Sequence, residues 1–247
     1  MKDLLNNRVS IRKFQTKEID NQLLNELLKD SFNASTTGNM QLYSVVVTKD
    51  KSQKEKLAPS HFSQPAFMNA PVILTFCADY NRFIKWCNLR EATPGYNNFQ
   101  SFITASIDAL IVAQTFSMLA EEKGLGICYL GTTTYNPNTI AEVLNLPKFV
   151  VPITTLAIGY PDEKPIKQER LPAEGLIHYE CYKDYSDNDI NNLYAEKENL
   201  ASNKNFVEIN NKKTLAQVFT DIRYTKKDNE YFSLVLMNFL KQQGFVE

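Results

Sequence analysis

The chain has no G-x-S-x-G elbow, no G-x-x-x-x-G-K-[ST] loop and no G-x-G-x-x-G between a strand and a helix. The first absence disfavours an α/β-hydrolase, the second a P-loop NTPase and the third a Rossmann dinucleotide site. The nearest glycine pattern, GLGICYLG at 124–131, follows a helix and leads into or forms a strand. Histidine is scarce, with His61 and His178 alone, and neither has a partner at metal-ligand spacing. The four cysteines (Cys77, Cys87, Cys128, Cys181) show no such spacing either. Cys77 and Cys128 lie in apolar, strand-like runs and read as small buried hydrophobes of a reducing compartment. Net charge is −1 and no block of like charges occurs, so nucleic-acid binding through a basic face is not expected. The opening MKDLLNNRVS lacks a secretory h-region, and a cytoplasmic placement is expected. There is no internal repeat and no low-complexity tract. With no evident acid, base or metal set, an enzyme of this sequence needs a cofactor to carry its chemistry.

What is present is organised around residues 99–131. From Phe99 to Ala120 the only charge is Asp108, and Phe99, Phe102, Ile103, Ile107, Leu110, Ile111, Phe116 and Leu119 cover more than one helical face. A helix apolar nearly all round is a buried helix. It is long enough to span a bilayer. It nevertheless carries Asp108, Gln114 and several hydroxyls, and its longest unbroken apolar run is Ala109–Ala113. A core or subunit-interface helix is therefore expected, and no membrane. Gly124 supplies its stop. Residues 127–130 read as a short buried strand. Gly131, just past it, lets backbone approach a ligand where a Cβ would block it.

Elsewhere, RVSIRKF places Arg8, Ser10 and Arg12 on one side of an extended backbone. That is a small anion-binding face, and equally a half-exposed strand with solvated charges. Residues 19–28 form an amphipathic helix. Ser35–Asn39 is a turn dense in hydroxyl and amide groups, including Thr36, Thr37 and Asn39. Tyr43–Thr48 reads as a strand, residues 51–57 as a polar helix, and 61–64 as a loop ending in Gln64. Residues 71–78 and 150–159 are continuous apolar runs, hence central strands. Residues 83–96 read as irregular and aromatic-bearing, and 140–144 as a short helix. KPIKQERLP is a basic loop that carries Lys167 and Arg170. Residues 183–213 are polar, with few apolar anchors, and read as a mobile excursion with one helix near 189–200. An amphipathic helix over 231–240 closes the chain. Strands and helices interleave, an α/β or α+β arrangement around one sheet.

Taken together, RVSIRKF, ASTTGNMQ, Gln64 before PVILTFCADYNR, the long helix into GLGICYLG, LAIGYP and RLP resemble the FMN-dependent nitroreductase family. The nearest branch is the oxygen-insensitive NADPH nitroreductases and flavin oxidoreductases. The resemblance covers roughly residues 6–180 and rests on order and spacing together. It implies an α+β fold with a mixed central sheet and a homodimer packed across the long helix. It divides the chain into a core at 1–180 and a C-terminal excursion at 181–247 within the same domain, with 183–213 lid-like. It implies FMN at the subunit interface and NADPH or NADH as electron donor. By position, Arg8 and Ser10 match residues that hold the phosphate and ribityl chain, and Arg12 matches the cation near the flavin N1–C2 edge. Thr36 and Thr37 fall on a serine pair that reaches FMN, with Asn39 beside them. Gln64 matches the amide at the pyrimidine edge. Leu130 and Gly131 match backbone approaching N5 and O4, and Arg170 matches a late phosphate arginine.

The chain departs from that pattern in places. Many members have histidine where Arg8 stands, and a lysine where this chain has Gln168, with Lys167 next to it as a substitute. Thr132-Thr133-Thr134 stands where the branch often has an arginine. Lys204, Lys212 and Lys213 are candidates for a nucleotide 2′-phosphate. The implied activity is ping-pong two-electron reduction of nitroaromatics, quinones or related small electron-poor acceptors. The alternatives are a flavin reductase that supplies reduced FMN and a non-catalytic flavin-binding protein.

Overall fold

Four apolar runs become strands in the computed structural model, which describes residues 2–247. They are β1 (Tyr43–Thr48), β2 (Val72–Asp79), β3 (Gly126–Leu130) and β4 (Val150–Gly159). Their order in the sheet is β1-β2-β4-β3. Every pair is antiparallel, with Val45 opposite Phe76, Thr75 opposite Thr155 and Ile127 opposite Ile158. The expected mixed sheet is thus corrected: the sheet formed by the described residues has no parallel pair. The α+β class itself holds. All eight residues of β2 are buried, because the strand is central and covered on both faces.

The helices are α1 (Lys2–Asn7), α2 (Asn21–Ser31), α3 (Lys51–Leu57), α4 (Pro65–Asn69), α5 (Asn81–Asn88), α6 (Phe99–Glu122) and α7 (Pro137–Val143), with four more after β4. Alternation along β2 sends Leu74 and Phe76 to one face and Ile73 to the other. On the first face lie α2 and α6, through Leu24, Leu27, Ala109, Val112, Ala113, Phe116 and Ala120. Small residues on α6 let its backbone come close to the sheet. On the second face Leu57, Phe67, Cys128, Leu130 and Ile140 gather.

Helix α6 starts at Asn98, whose side chain accepts from the Ser101 N–H. It ends where Gly124, at φ +78°, allows the Leu125 N–H to reach the Ala120 carbonyl at 3.0 Å. Its outer face is apolar and uncovered: Phe99, Ile103, Ile107, Leu110 and Ile111 are all exposed.

Residues 8–14 are not a regular strand. They are tied along the sheet by the Ile11 N–H to the Ile127 carbonyl at 3.0 Å and by a bridge between Phe14 and Pro161. Two glycines make room for them. A Cβ at Gly126 would lie 2.7 Å from Ile11, and one at Gly159 would lie 2.9 Å from Phe14.

Residues 81–88 are helical, not irregular. Phe83, Ile84 and Cys87 make one inward face over two turns. Cys87 is a free, buried thiol of that face.

By internal contacts the chain forms two compact units, one ending at Ile166 and resumed by Phe232–Glu247, the other Lys167–Tyr231. The second unit contains α8 (Asp187–Asn199), α9 (Ala201–Ile209) and α10 (Leu215–Val218), and the boundary at 231/232 lies inside α11 (Lys226–Gln243). Residues 183–213 thus hold two helices rather than one. A capping box between Ser186 and Asp189 starts α8. Neither α8 nor α9 has a buried residue.

Candidate active site

Asp108, the lone charge of α6, is 1% exposed. Its Oδ1 accepts from the Thr37 N–H at 2.9 Å and the Thr37 hydroxyl at 3.0 Å, and its Oδ2 from the Leu42 N–H at 3.2 Å. Three donors satisfy a buried carboxylate that would otherwise be costly. The 36–42 turn is therefore hung from α6. Within it Asn39 and Gln41 adopt left-handed φ of 56° and 55°, and Asn39 Oδ1 accepts from Gln41 Nε2. The Thr37 proton is committed to Asp108. The Thr36 hydroxyl makes no hydrogen bond among the described residues.

Arg8 is anchored at the far end of α6. Its Nη1 lies 3.4 Å from Glu121 Oε1, and its Nη2 lies 3.5 Å from Ser10 Oγ. Burial raises the Glu121 carboxyl and Arg8 lowers it, with a net rise above the ordinary range. Arg12 is fixed by its backbone: Glu163 Oε1 accepts from the N–H groups of Arg12 and Lys13. That leaves the exposed Arg12 guanidinium with no ion pair among the described residues.

The third cluster sits at the end of β3. His61 is fully buried, stacks on Phe67 at 4.8 Å and shares a hydrogen bond at 2.9 Å with Thr132 Oγ1. Its Nε2 has no partner, and burial pushes its pKa down to about 4. This bond joins the 61–64 loop to the residue after Gly131. Gln64 opens α4 without capping it, so its half-buried carboxamide makes no hydrogen bond among the described residues. Leu130 is buried, and a Cβ at Gly131 would meet nothing within 4 Å. Gly131 thus borders open space, whereas Gly126 and Gly159 do not.

Strand β3 therefore gathers the Arg8–Arg12 segment, through Ile11 and Ile127, and the Gln64 loop, through His61 and Thr132. It does not gather the threonine turn. The turn's anchor and Arg8's anchor, Asp108 and Glu121, lie about 20 Å apart along α6 by the rise of an α-helix. Lys167 and Arg170 belong to the second unit, where both are exposed and Arg170 Nη1 donates to the carbonyls of Gln168 and Glu169. The sequence reading passed over Asp108, His61, Glu121 and Glu163 as site residues. Only Asp108 carried a signal, a single charge in an otherwise apolar helix.

An antiparallel sheet lies under one long helix, with the Arg8–Arg12 segment tied to the start of β3 and the Gln64 loop tied just past its end, in an α+β protein. The nitroreductase family model matches residues 5–160, and the chain belongs to that family. It is 34% identical over 184 residues, 74% of each chain, to an FMN reductase [NAD(P)H] of Bacillus subtilis (strain 168). It is 28% identical over 242 residues to an FMN reductase (NADPH) of the same strain, covering 97% of this chain and 90% of that one. Among solved structures, a presumed oxidoreductase of Bacteroides fragilis is 60% identical and superposes with a TM-score of 0.98, covering 99% of this chain and 100% of that one.

Proposed function

We propose that this chain is a cytoplasmic, NAD(P)H-dependent FMN oxidoreductase that works as a symmetric homodimer. The observation that carries the reading is that β3, ending at an open Gly131, holds two segments with uncommitted polar groups, one at each end: the segment of the Arg12 guanidinium and the loop of the Gln64 carboxamide. A flavin ring needs such a place, because its imide edge offers both donor and acceptor and its reduced form carries negative charge nearby. When bound, FMN supplies two-electron transfer between a nicotinamide and an electron-poor acceptor such as a nitroaromatic or a quinone. The protein binds and orients. Gln64 offers an N–H and a carbonyl to the imide edge, and Arg12 offers a cation on a backbone that Glu163 holds in place. Leu130 and Gly131 bring backbone to the ring. Arg8 and Ser10 take the phosphate and ribityl chain.

The turn is assigned to the partner's cofactor, because it hangs about 20 Å from the Arg8 anchor along α6. Thr36 has a free hydroxyl. Thr37, its proton held by Asp108, presents lone pairs alone and suits a ribityl hydroxyl rather than a phosphate. Asn39 lies beside them. The exposed stripe on α6 supports the dimer, since contiguous exposed apolar surface marks an interface. Four free cysteines, Cys181 exposed, suit a reducing compartment.

The purified protein should carry one FMN per chain, bleached anaerobically by NADH or NADPH. A folded protein that takes up no FMN overturns the reading. The names of the two Bacillus relatives favour a second reading, in which reduced FMN leaves for another acceptor. Reduction of added free FMN beyond one equivalent per chain distinguishes it from direct acceptor reduction.

A further inference from the structure

Arg8 is the phosphate cation of the proposed site, and it is already engaged. Its guanidinium is held by Glu121, whose side chain retains 10% exposure against 26% for Arg8. Both residues line a cleft of about 500 Å³ together with Asp3, Asn7 and Glu122. The ionisable groups around Glu121 are Asp3 of α1, Arg8 of the N-terminal segment, Tyr129 of β3, and Glu122 and Lys123 beside it. Among the described residues only Arg8 forms an ion pair with it. Burial already penalises this carboxylate, and Arg8 alone offsets that penalty.

A phosphate dianion brought to Arg8 competes for the same guanidinium and adds negative charge close to Glu121. A buried carboxylate that loses its cation is costly, and such a group neutralises itself by protonation. We infer that Glu121 is a positioning residue: it holds Arg8 in place and takes up one proton from solvent when the phosphate engages Arg8. This rests on the assignment of Arg8 to the FMN phosphate. No bond other than the O–H on Glu121 forms.

The test is calorimetric titration of the FMN-free, full-length protein with FMN in buffers of different ionisation enthalpy, at about pH 7.5 and above, where a phosphate monoester is already dianionic. The wild type should take up as much as one proton per FMN, and E121Q none. Riboflavin, which has no phosphate, should cause no uptake in the wild type. By linkage, wild-type FMN affinity should fall towards tenfold per pH unit relative to E121Q. At high pH E121Q should bind FMN at least as tightly as the wild type, because it resembles the protonated complex. Equal proton counts in the two proteins, or weaker binding by E121Q with no proton difference, overturn the inference. Should E121Q not fold, the wild-type comparison of FMN with riboflavin decides alone, and the absence of phosphate-dependent uptake overturns it. If no FMN binds at all, the cofactor assignment falls and this inference with it.

Discussion

The two compact units are built in opposite ways. In the first, β2 and β4 run through the interior and Phe76, Phe116 and Leu156 are fully buried. In the second, α8 and α9 bury no residue, and Leu215 and Val218 of α10 are its buried apolar side chains. Yet the second unit is not uniformly polar: Tyr179 is 79% exposed, Tyr182 70% and Ile209 65%. The first unit buries apolar side chains on both faces of its sheet. The other, like the outer face of α6, displays surface that a lone protomer leaves in water. Stability therefore resides in the sheet and its two covering layers, and the second unit is the place to look for contacts that association completes.

The sharpest way to break this contrast is at the α6 stripe. Replacing Ile107 and Leu110 by Asp should give a folded monomer that retains no FMN, read by light scattering and flavin absorbance. A dimer that keeps its flavin would detach α6 from the interface. Within the first unit, Phe116→Ala removes a ring packed at 6.2 Å on Phe76 and should cost roughly 3–5 kcal/mol in denaturant unfolding. In the second unit, Tyr179→Ala should shift the intrinsic unfolding free energy by less than about 0.5 kcal/mol, as exposed substitutions do. Similar losses at the two sites would erase the distinction.

Acid gives the next largest effect. Burial holds His61 neutral with a pKa of about 4, whereas an unfolded chain takes up this proton near 6.5. Between those values the unfolded state binds more protons. The contribution is therefore full above about pH 6.5 and is lost as pH falls towards 4, to a total of about 3 kcal/mol. Thermal melts from neutral pH downward should show the loss, and His61→Phe should flatten it.

A smaller effect than that of acid is expected in nucleotide choice. Lys212 is already paired to Asp221 at 2.9 Å, which leaves Lys204 and Lys213 as exposed charges. Exposed ion pairs are weak. Changing all three lysines to Ala should therefore move the NADPH to NADH ratio of kcat/KM by roughly tenfold or less. No movement would remove 2′-phosphate recognition from these lysines.

Periodicity and run length carried most of the fold. The β4 boundaries agree with its apolar run because a strand buried on both faces is continuous and ends where polar or turn residues begin, whereas β1 is a half-buried edge strand. Helix α5 was not legible, because two turns with no side-chain cap leave little pattern and its inward face is set by packing. The site was legible as segments but not as joints. His61 and Thr132 are far apart in the chain, as are Thr37 and Asp108, and neither pair has a local signature. The antiparallel sheet was misjudged because strand direction depends on where long connections return.

The strand order has a kinetic consequence. Strands β1 and β2 can pair soon after synthesis, and β3 and β4 likewise, but the joint between the halves is β2 with β4, Val72 opposite Ile158. At cellular elongation rates β2 waits roughly 4–16 s for its second neighbour. During that interval a largely apolar strand has one open edge, and the nascent chain is most exposed to aggregation. Closing a loop of this size makes the β2–β4 joint the natural slow step of refolding.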